Sequence, residues 1–254
     1  MSKPQIVKSE KFSVDHVEYS DPKKLSHGGQ AIYVNYDGKP LILQTPKMSM
    51  PWGMGKYDGD IPKYSVDLSF KGMDNNPSLE AFYTALKSLD EKLVDDGVSN
   101  SMTWFKKKKQ TEAVCRALYA PQLKVSKDKE GIADGKYPPT CKLKIPFRDG
   151  SFQCDAYNSS KEKINDDLSN VLVKNCQVQA LIQCVGIWFA GGKYGVSWKV
   201  VQMKVSPPAG IHGYSFIDDS DDDNNVEEEE EEDLIDDDDD DDEAMVSEEE
   251  DDDE

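Results

Sequence analysis

The sequence lacks the segments and motifs that mark membrane proteins, secreted proteins and the common enzyme classes. No run approaches the ~20 apolar residues that a membrane-spanning helix needs, and Met1–Gln5 begins no signal peptide. No Gly-x-x-x-x-Gly-Lys-Ser/Thr loop, Gly-x-Ser-x-Gly turn or His-Glu-x-x-His motif occurs. We therefore expect an intracellular protein that is not an enzyme, is not bound to a membrane and holds no cofactor.

Histidine and cysteine are scarce. The histidines are His16, His27 and His212, and no Cys-x-x-Cys pair occurs. A structural zinc site needs closely spaced ligands of these types, so we expect no metal site. Because the cysteines are odd in number, form no Cys-x-x-Cys pair and follow no secretory signal, we expect reduced, mostly buried thiols in a cytosolic or nuclear protein. These are Cys115, Cys141, Cys154, Cys176 and Cys184.

Lysine, arginine, aromatic residues, glycine and proline are all absent from residues 218–254, which hold 27 Asp and Glu. Such a segment cannot bury enough apolar surface to order itself, so we predict a disordered acidic C-terminal tail. Residues 1–217 hold 30 Lys and Arg against 23 Asp and Glu, so a body of charge +7 precedes a tail of charge −27. This asymmetry favours a basic surface that binds a polyanion, for which the tail competes. A tail that only increases solubility is the alternative.

The body shows one helical pattern among many short strand patterns. The helix is predicted at about 77–95, with Asn76 as its cap, Pro77 in the first turn, an apolar face and Gly97 at its end. We predict an irregular N-terminal arm at 1–28, one domain at 29–206, a linker at 207–217 and the tail at 218–254.

The strand patterns indicate antiparallel hairpins. Asp37-Gly38 predicts a tight turn between strands at 31–36 and 41–45, and Asp149-Gly150 predicts another. Alternation predicts strands at 64–70 and 141–147, and a long hairpin at 178–205 that turns at Gly191–Gly195. Further strands are predicted at 112–118 and 122–126. The fold class is therefore mainly β, either an antiparallel barrel or a compact sandwich, with one embedded helix.

Lysines interleaved with aromatic rings recur along the body, as is typical of surfaces that bind single-stranded nucleic acid. Trp104-Phe105 directly precedes four lysines, and Lys142 and Lys144 share one face of their strand by alternation. The predicted nucleic-acid-binding residues are Trp52, Tyr57, Trp104, Phe105, Lys106, Lys107, Lys108, Lys109, Arg116, Lys124, Tyr137, Lys142, Lys144, Lys193 and Tyr194. A nuclear localisation signal or a solvated loop is the alternative for the lysine run. Trp188, Phe189 and Trp198 are predicted to lie in the core, with a binding platform as the alternative.

Two motifs resemble those of phage-type single-stranded DNA-binding proteins, as carried by large nucleocytoplasmic DNA viruses. Gln183–Phe189 with Gly191–Lys199 is similar to the glycine-rich hairpin of the viral members, and Tyr137-Pro138-Pro139 precedes a basic strand as it does there. The resemblance implies an OB-fold domain with an acidic tail. It also implies a viral protein that acts in DNA replication, recombination or repair, in the host nucleus or at a cytoplasmic viral replication site.

In that family the tail recruits replication proteins such as polymerase and helicase-primase through a terminal aromatic residue. This chain ends at Asp253-Glu254, so such contacts would fall to the apolar residues of the tail, which are Val226, Leu234, Ile235, Ala244, Met245 and Val246. A histone chaperone or protein-interaction factor, and a virion structural protein, are the other functions that fit. The oligomeric state is open, with a homodimer among the alternatives.

Overall fold

The computed structural model describes residues 4–25, 29–59 and 61–208. The predicted acidic tail and nearly all of the predicted linker lie outside the described residues. The described strands are β1 (Ile6–Lys8), β2 (Val17–Tyr19), β3 (Lys23–Lys24), β4 (Gln30–Ile32), β5 (Val34–Tyr36), β6 (Lys39–Pro40), β7 (Ile42–Gln44), β8 (Met48–Ser49), β9 (Met54–Tyr57), β10 (Lys63–Ser69), β11 (Tyr119–Ala120), β12 (Leu123–Lys124), β13 (Thr140–Ile145), β14 (Phe147–Arg148), β15 (Ser151–Phe152), β16 (Asp155–Tyr157), β17 (Gln177–Ala190) and β18 (Lys193–Ser206).

The long hairpin of β17 and β18 is the backbone of the fold, as predicted. Its register runs from Gln177 opposite Ser206 to Ala190 opposite Lys193. The turn is only Gly191-Gly192, both with positive φ, so the strands extend closer to the turn than the sequence pattern predicts. The register shifts between Cys184 and Gly186 and again between Leu181 and Ile182, where the two strands are irregular.

Five strands are linked in a ring around the core. β17 pairs with β8, β8 with β10, β10 with β13, β13 with β18, and β18 with β17. Two of these links are single residue pairs, Ser49 with Ser69 and Lys144 with Lys199, so the strands do not close into a complete barrel. The predicted class, a mainly β, OB-fold-like body with an embedded helix, is confirmed in this partly open form.

Helix α1 (Pro77–Ser99) closes the core on one side. The Asn76 side chain accepts hydrogen bonds from the backbone N–H groups of Ser78 and Leu79, as a cap does. The predicted apolar face is buried, but the helix runs through Gly97. A Cβ at Gly97 would lie 2.8 Å from the Tyr194 hydroxyl, so the glycine allows β18 to approach the helix.

Three further helices, α2 (Ser101–Phe105), α3 (Glu112–Leu118) and α4 (Leu168–Val171), were not expected from the sequence. The predicted strand at 112–118 is wrong, because Thr111 caps a helix there by accepting from the Val114 N–H. Glu112 also forms an i,i+4 ion pair with Arg116 at 3.0 Å, which suits a helix. The strand predicted at 122–126 is reduced to β12.

The N-terminal residues are part of the core, whereas an irregular arm was expected at 1–28. β1 pairs in parallel with β7, and Val7 and Val17 are buried. The Asp37-Gly38 turn forms as predicted, since Asn35 pairs with Pro40 across it, but the partner strand is β6 and the predicted pairing with 41–45 is wrong. The second strand of this hairpin, β6, ends at Pro40. The next strand, β7, pairs with β1 and β17 in the main sheet.

The core is one cluster of buried side chains between the ring of strands and α1. Cys115, Cys141, Cys176 and Cys184 are buried in it as free thiols, and Cys154 is half-buried. Within the described ranges, no helix is both long and apolar enough to cross a bilayer.

Candidate nucleic-acid interface

The outward side of β10, β13 and β18 is rich in lysine. In β13, Cys141, Leu143 and Ile145 point into the core, so the alternate side chains face outward. The antiparallel register sets Lys142 opposite Asp67 and Lys144 opposite Ser65, and Lys144 also pairs with Lys199 of β18. We call this surface the basic sheet face. Its lysines are Lys63, Lys124, Lys142, Lys144 and Lys199.

One carboxylate lies within this basic face. Burial raises the pKa of Asp67 above its usual range, while the positive charges of Lys142 and Lys124 oppose the shift. Lys124 lies opposite Thr140 and so belongs to the same side of the sheet. Asp67 therefore lowers the positive potential where the face is otherwise uniformly basic.

Three predicted aromatic residues with exposed rings lie near the ends of β10, the strand at the middle of this region. Tyr57 lies opposite Lys63 at one end of β10 and is 60% exposed. Trp52 precedes β9, beside the other end of β10, and is 67% exposed. Tyr137 precedes β13 at that same end, is 61% exposed, and has the Lys136 Nζ 5.2 Å from its ring centroid. The structure thus brings together rings that can stack on bases and lysines that can meet phosphates.

Trp188 extends this face along the hairpin. It lies opposite Gly195, and a Cβ added at Gly195 would be 2.8 Å from the indole Cζ2. The indole therefore covers the glycine. Since β18 is regular from Gly195 to Lys199, the half-buried Trp188 lies on the same side of the sheet as Lys199.

Trp104 and Tyr194, both predicted to bind nucleic acid, are core residues in the structure. Trp104 is 4% exposed and packs edge-on against Tyr19, and Tyr194 is fully buried. Phe105 is half-buried, with its ring centroid 5.0 Å from that of Tyr194. A ring enclosed on both faces cannot stack on a base, so Trp104 and Tyr194 instead anchor α2 to the end of the hairpin, with Phe105 packed beside them.

The predicted lysine run lies at this end of the hairpin, away from the basic sheet face. Lys106–Lys109 follow Phe105, and Lys193 precedes Tyr194. Lys193 and Lys199 are six positions apart in β18, a distance of about 20 Å along the strand. The predicted binding residues therefore form two separate surfaces.

Arg116, also predicted to bind nucleic acid, is held by carboxylates. Its guanidinium donates to both oxygens of Glu91, at 3.1 and 2.7 Å, and to Glu112. These bonds raise its pKa above the usual value. Because it lies on α3 and its charge is balanced there, we do not include it in the interface.

Sequence reasoning missed Lys63, Lys199 and Trp188. A signal was present for Lys199, which alternates with buried residues of a predicted strand, whereas Lys63 directly precedes the strand predicted at 64–70. Trp188 was assigned to the core because its neighbours are apolar, and only the strand register shows which side it faces. Across the described residues, no three His, Cys, Asp or Glu side chains converge as a metal site would require.

The model of a protein family described as a family of unknown function (DUF5871) matches residues 74–218. A comparison with curated proteins gives no match. Among solved structures, the chain is similar to gp2.5, a single-stranded DNA-binding protein of bacteriophage T7 (TM-score 0.44, 14% identity, 68% of this chain and 90% of the other). It is also similar to the single-stranded DNA-binding protein of bacteriophage Enc34 in complex with single-stranded DNA (TM-score 0.42, 12% identity, 74% and 97%). TM-scores below 0.5 assign neither fold nor function to this chain.

Proposed function

The chain belongs to DUF5871, a family of unknown function, and we propose that it binds single-stranded DNA without sequence preference through the basic sheet face. The observation that supports this is the arrangement of five lysines on one side of a sheet whose ends are flanked by exposed Trp52, Tyr57 and Tyr137. Lysines neutralise phosphates irrespective of sequence, and every base offers a face for stacking. The protein would act in DNA replication, recombination or repair.

Single strands fit this surface better than a duplex. The interface is a sheet face with exposed rings near its ends, and the described residues that form it include no helix that could enter a major groove. In a duplex the bases are already stacked on one another, so exposed rings would gain nothing. Rings that stand open at both ends of a lysine row are useful when the bases are unpaired.

The acidic tail would compete with DNA for the same lysines. A tethered segment is present at an effective concentration of order millimolar, and its carboxylates offer the charge of a strand without its bases. DNA therefore gains stacking that the tail cannot, and displaces it. The released tail would then be available to replication proteins. This model explains why a body of charge +7 is joined to a segment of charge −27.

The test is a binding assay with fluorescent oligo-dT, a matched duplex and RNA of the same length, for the full chain and for a chain without residues 218–254. We expect oligo-dT to bind more tightly than duplex, and the truncated chain to bind it more tightly than the full chain at low salt. A truncated chain with no affinity for oligo-dT in dilute buffer would refute the proposal. Unchanged affinity on truncation would refute only the competition.

A second candidate, a histone chaperone, is favoured by the 27 acidic residues of the tail alone. Such a protein would bind basic partners through the tail and would have no use for lysines on the sheet face. Quenching of tryptophan fluorescence separates the two functions. Oligo-dT should quench exposed Trp52 in the proposed function, whereas a core histone should change the signal only in the alternative.

A further inference from the structure

A second basic surface lies at the turn of the β17–β18 hairpin. Lys193 is at the turn, and Lys106–Lys109 follow Phe105, whose ring packs on Phe189 and Tyr194 at that end. β3 adds two lysines, since Lys24 pairs with Gln30, whose side chain donates to the Trp104 carbonyl. We call these residues the tip lysines: Lys23, Lys24, Lys106, Lys107, Lys108, Lys109 and Lys193.

The tip lysines differ from the lysines of the sheet face in what surrounds them. All seven are exposed, and in the part of the chain that the structure describes none forms an ion pair with a carboxylate. Lys23 alone has a ring partner, with its Nζ 5.1 Å from the centroid of Tyr33. The aromatic side chains beneath the others, Trp104, Phe105, Phe189 and Tyr194, pack on one another. Tyr33, 40% exposed, lies under Lys23, and half-buried Trp188 lies opposite Gly195. This surface therefore offers seven positive charges against little open ring area, which suits a polyanion that has no bases.

The geometry points to the distal acidic blocks of this chain's own tail as that polyanion, an inference that rests on the proposed function. β18 begins at the turn and ends at Ser206, about 40 Å away along the strand at ~3.3 Å per residue. Asp218 is twelve positions beyond Ser206, and even a fully extended chain of that length spans only about 42 Å. Asp218 thus reaches the turn only without slack, whereas Lys199, about 23 Å from Ser206, is within the range of the whole block 218–223.

The later acidic blocks, 236–243 and 248–254, are tethered by longer segments that can reach the turn. Thirty residues separate Ser206 from Asp236, so the root-mean-square span of that segment is about 30 Å for a flexible chain and larger for a charged one. Such a span approaches the distance to the turn, and tethered binding is strongest when the two lengths match. The blocks 236–243 and 248–254 therefore lie against the tip lysines, while the first block occupies the basic sheet face.

Two contacts by one tail reinforce each other. When the distal blocks are held at the turn, the first block is confined near the sheet face and competes with DNA more effectively. The tip lysines then weaken DNA binding in the full chain, although they are basic. If the tip lysines held DNA directly, removing them would weaken DNA binding instead of tightening it. This difference makes the inference testable.

The test uses five full-length proteins. The tip variant carries Lys106→Gln, Lys107→Gln, Lys108→Gln and Lys109→Gln, and a matched control carries Lys71→Gln, Lys87→Gln, Lys129→Gln and Lys161→Gln at exposed positions elsewhere. Each is compared with the native chain, and both the native chain and the tip variant are also made with the acids of 236–243 and 248–254 replaced by their amides. Oligo-dT affinity is measured at low salt. Carbodiimide cross-links between lysines and tail carboxylates are mapped by mass spectrometry without DNA, in the native chain.

We expect the tip variant to bind oligo-dT about fivefold more tightly than the native chain, and the control variant to bind it no more tightly. When the distal tail acids are replaced by amides, the protein with the four lysines and the protein without them should bind oligo-dT with similar affinity. Cross-links should join the tip lysines to residues 236–254 and disappear at high salt. Weaker DNA binding by the tip variant in both backgrounds, or the absence of these cross-links, would overturn the inference. Cross-links in a protein that binds no oligo-dT would support the docking and refute the single-stranded DNA proposal.

Discussion

Among single residues, exposed aromatic side chains are the most direct probes of the proposed interface. Trp52 and Tyr57 are 67% and 60% exposed, and stacking on a base is worth about 1–3 kcal/mol per ring. We expect Trp52→Leu or Tyr57→Leu to weaken oligo-dT binding about tenfold while leaving the free energy of unfolding within ~0.5 kcal/mol. Fluorescence anisotropy and urea unfolding measure the two quantities. Met102→Ala, at a residue 57% exposed on α2, is the matched control and should change neither.

The carboxyl group of Asp67 is expected to make the affinity of the interface for DNA depend on pH. Its carboxylate lies among lysines, and burial raises its pKa above the usual value. Above that pKa the negative charge repels phosphate; as the pH falls through it, the group becomes neutral and binding tightens. Asp67→Asn should therefore tighten oligo-dT binding about threefold at neutral pH and flatten the pH dependence relative to the native chain. A variant whose pH profile is unchanged would show that Asp67 does not face the bound strand.

The sequence was informative about which residues are basic and less so about where rings lie. Lys142 and Lys144 could be assigned to one side of a strand because alternation is local. Trp104 and Tyr194 could not be separated from Trp52 in this way, since burial depends on residues distant in sequence such as Tyr19 and Leu93. Exposure is a property of tertiary packing, and a ring followed by lysines looks the same in sequence whether it stacks on bases or on the core.

Among the elements, the irregularity in β17 is the feature on which the fold of the N-terminal part depends. Gly186 has φ +142°, and a Cβ there would lie 2.6 Å from the Ile32 carbonyl oxygen of β4. We expect Gly186→Ala to lower the free energy of unfolding by about 3 kcal/mol, because both the conformation and the contact exclude a side chain. Gly55→Ala, with its nearest neighbour at 3.6 Å, is the control in the same urea experiment and should cost far less.

Local signals also explain which elements could be predicted. α1 and the β17–β18 hairpin follow from caps, turn glycines and long periodic patterns, and both are confirmed. α3 was mistaken for a strand because Val114, Cys115 and Leu118 suit either structure over seven residues, and the Thr111 cap was overlooked. Pairings such as β1 with β7 and β13 with β18 are parallel and distant in sequence, so no local pattern specifies them.

For the whole molecule, the opposed charges of body and tail predict an unusual dependence on salt. Neutralising phosphates releases counterions, so log affinity for single strands falls with log salt by about 0.7 per phosphate contacted. Salt weakens the contact of the tail with the same lysines for the same reason, and this loss of competition partly offsets the loss of DNA binding. The full chain should therefore show a shallower slope than a chain whose tail acids are replaced by amides.

The affinities of the full chain and of the amidated chain for oligo-dT should also converge as the salt concentration rises. At about 20 mM salt, where the screening length exceeds 20 Å, amidation should tighten oligo-dT binding about tenfold or more. At about 0.5 M the tail contact is largely screened, and the two proteins should bind alike. Titrations with fluorescent oligo-dT across this range measure both slopes. Parallel curves would mean that the tail does not share a surface with DNA, and its 27 acidic residues would then act on solubility or on other proteins alone.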